Sequence, residues 1–234
     1  DDDDDATGDD DDSALGDDDD ATGDDDDSAL GDDDDAAPSW LRVVPGGDGL
    51  PALIDHAAAW DPVQGRMLVH GGQGYYELFA STWSVDLPGG LVTLLAPSGD
   101  APPPSRGHSL TIDVHRQRAL LFGGQIRGDL LDTVFALDLA SPGAVWTELS
   151  PSGGPPAPRA GHVAAFDAAG DRLIVHGGTG YYGLHGELWS LDFSSSDDGD
   201  WVELSPAGTP PGPRVAAASA WDEASGVLYV SGGQ

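Results

Sequence analysis

Residues 173–178 read Leu-Ile-Val-His-Gly-Gly, an apolar run that ends in a pair of glycines. Variants of this stretch stand at three other places, as MLVHGG at 67–72, ALLFGG at 119–124 and LYVSGG at 228–233. Successive glycine pairs are 52, 54 and 55 residues apart. A spacing this regular indicates four copies of one structural unit.

Other residues recur at a fixed distance from each glycine pair. A histidine stands fifteen residues before each of the first three pairs, and an aspartate stands fifteen residues after each of them. An aromatic residue precedes that aspartate by three positions. The three sets are His56, His108 and His162; Asp86, Asp138 and Asp192; and Trp83, Phe135 and Trp189.

Each unit divides by its pattern into four short predicted strands. The first ends in an aromatic residue or isoleucine followed by aspartate, the second runs into the glycines, the third ends in SVDL, ALDL or SLDF, and the fourth carries the tryptophan of WTELSP or WVELSP. Continuous apolar runs are typical of strands that are buried on both faces. The proline-rich joins, such as APPPSR at 101–106 and GTPPGPR at 208–214, lack ladder donors and are predicted to be loops between units.

These features resemble the kelch family over residues 40–234. The points of resemblance are the glycine doublet after an apolar strand, the aromatic residue before Leu-Asp, the later tryptophan and an opening Arg-x-Gly-His motif. That motif is intact at Arg159–His162, shifted at Arg106–His108 and degraded at Arg214 with Ala217. The resemblance implies an all-β fold, a kelch-type β-propeller with one four-stranded blade per unit. The glycines with a structural role are then Gly71, Gly72, Gly123, Gly124, Gly177, Gly178, Gly232 and Gly233.

The units do not add up to a closed ring. Full blades are predicted at about residues 54–95, 106–149 and 160–204, half of a fourth at 214–234, and one strand of a preceding blade at 40–44. We therefore expect residues 38–234 to form an incomplete propeller. By family analogy further blades of a longer chain complete it to about six or seven, and closure by a second chain is the alternative.

Residues 1–37 differ in composition from the rest. The sequence DDDDATGDDDDSALG fills residues 2–16 and again 17–31, and residues 1–35 hold 21 of the chain's 42 acidic residues. Charge repulsion predicts a disordered linker, because Leu15 and Leu30 are the only sizeable apolar side chains available for burial. This repeat resembles the linkers of bacterial surface lipoproteins, which implies an extracellular or cell-envelope location. The absence of lysine and asparagine likewise favours a GC-rich bacterial source.

An alternative interpretation of the repeat is calcium binding. Oxygen-bearing side chains alternate ahead of a glycine, as in calcium loops, although the glutamate expected at the twelfth position is absent. No other cofactor is expected. The candidate ligands are Asp3, Asp5, Thr7, Asp11, Asp18, Asp20, Thr22 and Asp26.

Charge and composition exclude several functions. The chain of 234 residues carries a formal net charge of −33, which disfavours nucleic-acid binding. It contains no cysteine, so disulfides, thiolate nucleophiles and cysteine-ligated metals are excluded. No apolar stretch reaches the roughly 20 residues that span a bilayer, so no direct membrane insertion is expected.

The loops after the glycine pairs are the candidate binding surface. GQGYYELF at 72–79 and GTGYYGLHGELW at 178–189 share paired tyrosines, and QIRGDLL at 125–131 stands between them. In a propeller these loops emerge on the same face as the loops between blades. Paired tyrosines suit protein and glycan recognition, and the alternative is that they pack on the neighbouring blade. The candidate residues are Tyr75, Tyr76, Arg127, Tyr181, Tyr182, His185, Arg106, Arg159 and Arg214.

The leading hypothesis is therefore a non-enzymatic binding or scaffold module that presents propeller loops to a protein or glycan. The first alternative is a hydrolase or epimerase with an axial pocket completed by other blades. The second is a calcium-dependent surface or adhesive element. No catalytic residues are proposed, because no nucleophile, histidine and carboxylate form a legible triad.

Overall fold

The computed structural model describes residues 45–141 and 143–234, which form β-strands joined by turns and loops. Within these ranges no helix has the length and apolar character needed to cross a membrane. The predictions for residues 1–37 and for a strand at 40–44 lie outside the described residues.

Four sheets follow one another along the chain. The first blade contains β1 (Gly46–Gly47), β2 (Ala57–Asp61), β3 (Arg66–His70), β4 (Thr82–Asp86) and β5 (Leu91–Leu95). The second contains β6 (Ser98–Gly99), β7 (Ser109–Asp113), β8 (Arg118–Phe122), β11 (Val134–Asp138) and β12 (Val145–Glu148), with β9 (Gln125–Ile126) and β10 (Asp129–Leu130) in its long loop. The third contains β13 (Ser152–Gly153), β14 (Val163–Asp167), β15 (Arg172–His176), β18 (Leu188–Asp192) and β19 (Asp200–Leu204), with β16 (Thr179–Gly180) and β17 (Gly183–Leu184) in its loop. The last sheet is β20 (Ala218–Asp222) and β21 (Val227–Ser231).

This arrangement confirms the predicted kelch-type β-propeller. Each full blade is an antiparallel meander of four strands, and the first strands of neighbouring blades contact one another. The described residues form three such blades and half of a fourth, and these sheets do not close a ring. The all-β class and the incomplete ring both follow the sequence-based expectation.

One strand in each full blade was not predicted. A dipeptide from the loop before the blade adds to its outermost strand in parallel, as Gly46 does to Leu91 and Ser98 does to Val145. A side chain at Gly99 would collide with the carbonyl oxygen of Trp146, so glycine is required there. The signal in the sequence was the repeated Pro-Gly-Gly or Pro-Ser-Gly.

The apolar second strands are buried because their side chains alternate between two neighbouring blades. In β8, Leu120 and Phe122 pack with Trp201 of the third blade. Leu121, between them in sequence, packs instead with Leu68 of the first blade. This alternation follows from the period of two along a strand, and it explains why each second strand is an unbroken apolar run.

The glycine doublets hold neighbouring blades together. The backbone N–H of the second glycine donates to the carbonyl of a residue in the loop before the next blade. In the second doublet Gly124 bonds Arg159 at 2.8 Å, and in the third Gly178 bonds Arg214 at 2.8 Å. Gly124 has a φ of 108°, and a side chain there would press on His108. The doublets therefore repeat because each blade needs the same close backbone approach.

The buried aspartates of the first strands form a second repeated contact that the sequence analysis missed. Asp113 accepts hydrogen bonds from the backbone of its own turn and from Arg118 Nε at 2.9 Å. Asp167 and Arg172 form the same pair at 2.8 Å. The signal was aspartate followed five residues later by arginine, which occurs in all three full blades.

Candidate binding face of the loops

The long loops between the second and third strands lie on the same face as the loops between blades. Isolated β-bridges join the two kinds of loop, as between Arg106 and Gln125 and between Ala160 and Thr179. We call the surface formed by residues 73–80, 125–132 and 179–186, together with Arg106, the loop face.

Four tyrosines stand out from the loop face. Tyr75 and Tyr76 are 85% and 83% exposed, and their rings meet edge to face with centroids 4.2 Å apart. Tyr182 is fully exposed, and Tyr181 is 55% exposed. Large aromatic side chains at this exposure do not pack on a neighbouring blade, so three of the four tyrosines have no role in the core that would explain them.

Hydrogen bonds join the loops that carry the tyrosines. Arg127, from the loop of the second blade, reaches the carbonyl of Tyr76 in the first at 3.5 Å. The backbone N–H of Leu130 donates to the Tyr181 hydroxyl of the third blade at 3.0 Å. The three loops are therefore braced side by side across three blades.

Arg106 lines a cleft between the first two loops. Its guanidinium donates to Gln125 Oε1 at 2.9 and 3.2 Å and to Asp55 at 3.4 Å. The cleft has a volume of about 210 Å³, and Tyr76 and Arg127 line it with Arg106. A volume of this size accommodates a single amino-acid side chain, and it lies beside Tyr76, one of the exposed tyrosines.

Arg159 does not belong to the exposed surface, although its sequence position suggested it. The side chain is completely buried and donates to the carbonyls of Gly177 at 2.9 Å and Ala157 at 3.0 Å. Burial lowers the pKa of Arg159. Its place in the loop before the first strand of the second blade is taken by Ser105, which explains why the arginine motif looked shifted at Arg106.

Arg214 and His185 are also engaged within the fold. Arg214 donates to the carbonyls of Gly212 and Gly232 at 3.1 and 3.0 Å. His185 lies mostly buried with Nδ1 3.3 Å from the Glu187 carboxylate. Three of the nine candidate binding residues, Arg159, Arg214 and His185, thus make contacts within the fold. The loop face that remains accessible consists of Tyr75, Tyr76, Arg106, Arg127, Tyr181 and Tyr182.

The buried histidines lie between blades and are held neutral. Burial lowers the pKa of His70 to about 3 and that of His108 to about 4. His70 Nδ1 is 2.9 Å from Thr82 Oγ1, and its ring meets the Trp146 indole edge-on at 5.2 Å. Over residues 45–141 and 143–234 no three His, Asp or Glu side chains are grouped to hold a metal ion. The aspartates proposed as calcium ligands lie outside these ranges.

Repeated four-stranded sheets, with hydrogen bonds from their glycine doublets to the neighbouring blade, define the class of protein as a kelch-type propeller. The model of the KLHDC2/KLHL20/DRC7 Kelch-repeats domain matches residues 16–233, and the chain belongs to the kelch-repeat family.

Three relatives illustrate the range of proteins in which similar repeats occur. Adagio-like protein 1 of Oryza sativa subsp. japonica is 30% identical over 178 residues, which is 75% of this chain and 27% of that protein. Host cell factor homolog hcf-1 of Caenorhabditis elegans is 30% identical over 156 residues, 59% of this chain and 19% of that protein. An F-box/kelch-repeat protein of Arabidopsis thaliana is 31% identical over 139 residues, 54% of this chain and 29% of that protein. The chain spans only about a quarter of the length of these relatives.

Proposed function

We propose that this chain is a non-enzymatic interaction scaffold that binds a protein partner through the loop face. The observation that carries the proposal is the exposure of Tyr75, Tyr76 and Tyr182 on loops that are braced against one another. Membership of a family whose relatives include an F-box/kelch-repeat protein is consistent with it.

The chemistry of the tyrosines supports recognition of another polypeptide. A tyrosine offers a large amphipathic area and loses little side-chain entropy when it binds. Contacts such as the one from Leu130 to Tyr181 hold the loops before binding, so less ordering is needed when a partner arrives. The cleft lined by Arg106 adds a polar position beside this aromatic surface.

The test is a comparison of two sets of alanine variants in the full chain. One variant replaces Tyr75, Tyr76, Tyr181 and Tyr182. The control replaces Tyr229, which is 58% exposed but lies on β21, away from the loop face. Partners captured from the native source are quantified by mass spectrometry, and the Tm of each variant is measured by scanning calorimetry.

We expect the four-tyrosine variant to lose at least about 90% of the captured partner while its Tm stays within about 2 °C of the parent. The Tyr229→Ala variant is expected to capture as much partner as the parent and to have the same Tm. Equal capture by both variants would contradict the proposal. So would a large fall in the Tm of the four-tyrosine variant, because the tyrosines would then be structural.

A glycan partner is the second ligand class for the same surface, since sugar rings also stack on tyrosine. Binding of the full chain to immobilised oligosaccharides separates the two. Saturable binding that the four-tyrosine change abolishes would assign the face to glycans instead.

We further propose that the acidic repeat of residues 1–37 is a tether, and that its aspartates take up calcium as a secondary property. Calcium titrated calorimetrically into the full chain and into a chain lacking residues 1–35 tests this. Saturable heat confined to the full chain supports a site, and identical traces leave only the tether. The extracellular or cell-envelope location and the bacterial source stay predictions from composition.

A further inference from the structure

The loops of the loop face have little backbone left for pairing with a partner. In the described part of the chain, β9 pairs with β10 and β16 pairs with β17, so two of the three loops form two-residue hairpins. The first loop is closed by a bridge between Gln73 and Leu78. Addition of a partner strand needs a longer row of unpaired N–H and carbonyl groups. The ligand of this face therefore does not bind as an added β-strand.

The cleft beside Tyr76 is too small for a helix. An amphipathic helix docks by placing side chains from successive turns in one continuous apolar groove. The cleft has a volume of about 210 Å³, and Gln73, Arg106, Gln125 and Arg127 are among the residues that line it. Its size and its polar lining suit one side chain rather than one face of a helix.

The loop face offers exposed aromatic rings with hydrogen-bond donors next to them. Tyr75 and Tyr76 meet edge to face at 4.2 Å and leave most of their surface in solvent, and Tyr182 is fully exposed. Arg127 comes from the loop of the blade between these tyrosines. Hydroxyl and guanidinium groups donate hydrogen bonds, so the face combines ring surfaces with donors for carbonyl oxygens.

A polyproline II segment has the complementary chemistry. This conformation makes no internal hydrogen bonds, so its carbonyl oxygens stay available as acceptors. Proline has no backbone N–H group, so such a ligand needs no acceptors from the loop face. Proline-rich segments are recognised by surfaces lined with aromatic side chains, on which the prolyl rings pack.

The positions of the tyrosines match the length of such a segment. The hairpin of β9 and β10 stands between the two tyrosine pairs, and it contacts Tyr76 through Arg127 and Tyr181 through Leu130. Paired strands lie about 5 Å apart. A polyproline II helix rises about 3.1 Å per residue, so ten residues extend about 31 Å. One segment of this length is sufficient to contact both pairs across the hairpin.

We propose that the loop face binds a proline-rich segment of its protein partner in the polyproline II conformation. This inference rests on the function proposed above and names the chemistry that the face recognises. Prolyl rings pack on Tyr75, Tyr76 and Tyr182, and Arg127 donates to a carbonyl oxygen of the segment. Because the segment is extended before it binds and hydrogen bonds join the loops, little conformational entropy is lost.

A fluorescently labelled decaproline peptide is the probe, and its binding to the full chain is followed by anisotropy. Two control peptides have the same length and label. One alternates glycine and serine, and the other is that peptide with two serines replaced by leucine, which adds apolar surface without a fixed conformation. We expect saturable binding of decaproline that is at least about tenfold tighter than that of either control.

Variants of the chain locate the site. The double change Tyr75→Ala and Tyr76→Ala, and the single change Tyr182→Ala, should each weaken the binding of decaproline at least about fivefold. Tyr229→Ala is the matched control, because this tyrosine is exposed on β21, away from the loop face. It should leave the affinity unchanged. The Tm of each variant, within about 2 °C of the parent, shows that the fold is intact.

Three results would overturn the proposal. Equal binding of decaproline and the leucine-bearing peptide, or binding of neither, would mean that the face does not select the polyproline II conformation. Binding that survives both tyrosine changes would place the peptide elsewhere on the chain. Capture of a partner through the four tyrosines by a chain that does not bind decaproline would leave the scaffold function intact and show that this inference alone is wrong.

Discussion

The backbone N–H of Gly161 donates to the carbonyl of Gly107 at 2.7 Å, and this bond joins the segment just before the first strand of the third blade to the equivalent segment of the second. Gly107 donates in the same way to Asp55 at 2.8 Å, and Ala216 donates to Gly161 at 2.9 Å. One hydrogen-bonded chain thus runs from blade to blade, beside the first strands that contact one another.

The four residues that form this series of hydrogen bonds adopt left-handed backbone conformations, with φ between 54° and 66°. They are Asp55, Gly107, Gly161 and Ala216. Only Gly107 and Gly161 are glycines. We expect Ala216→Gly to raise the free energy of unfolding by about 0.5–1 kcal/mol, because a left-handed alanine is strained. Gly161→Ala should lower it by at least about 1 kcal/mol, since the added methyl would also meet Val215. Urea unfolding measures both, and changes of the same sign would contradict this account.

The glycine doublet offers a second test of contact between blades. Gly178→Ala should cost about 2 kcal/mol or more, because the methyl would press on Ala160 O and His162 and disturb the bond to Arg214. Gly128 is the matched control, since its φ of 82° is also left-handed but no atom lies near the added methyl. We expect Gly128→Ala to cost only about 1 kcal/mol. Equal costs in urea unfolding would show that strain alone explains both.

Arg116 ties the second and third blades together on the face opposite the tyrosines. It donates to both carboxylate oxygens of Asp171 at 2.7 and 3.0 Å and to the Phe193 carbonyl at 2.9 Å. Its hydrogen bonds lower the pKa of Asp171. We expect Arg116→Ala to reduce the free energy of unfolding by about 1–2 kcal/mol, less in high salt. Arg127→Ala, which removes an exposed arginine, should leave it within about 0.5 kcal/mol.

A titration of Asp171 would show whether Arg116 acts on this carboxylate. In the Arg116→Ala variant, the pKa of Asp171 followed by NMR should rise towards its ordinary value. An unchanged pKa would mean that the guanidinium does not hold the carboxylate. Because the folded pKa is depressed, the stabilisation is present above the unfolded pKa and is lost as the pH falls through the folded pKa.

The buried histidines predict a loss of stability in mild acid. Burial lowers the pKa of His70 and His162 to about 3 and that of His108 to about 4. In the unfolded chain a histidine takes up its proton near pH 6.5, so the unfolded state binds more protons at lower pH. Stability is therefore fully present above about pH 6.5 and falls as the pH drops from there towards about 3–4.

His70→Phe tests this dependence, because Phe122 already occupies the corresponding position in the second blade. Urea unfolding at pH 7 and pH 5 compares the variant with the parent. We expect the variant to lose less free energy of unfolding between the two pH values, by up to about 2 kcal/mol. An identical loss in both proteins would mean that His70 is not a source of the dependence.

The blades themselves were predictable because their chemistry is local. A strand buried on both faces must be apolar throughout, as Leu120, Leu121 and Phe122 are, and a backbone that approaches its neighbour closely must be glycine, as Gly124 is. These demands recur once per blade, so the sequence repeats them at a readable interval. The candidate loops were predictable for the same reason, because they follow the glycines.

Tertiary structure alone decided which of the candidate side chains face solvent. Arg127 and Arg159 are both loop arginines, yet Arg127 is exposed on the loop face and Arg159 is completely buried between backbone carbonyls. The two-residue strands at Gly99 and Gly153 likewise depend on an outer strand that comes more than forty residues later. The repeat sets strands and glycines through local backbone and burial requirements. What surrounds a loop side chain is set by the neighbouring blade, which contacts it only after the chain has folded.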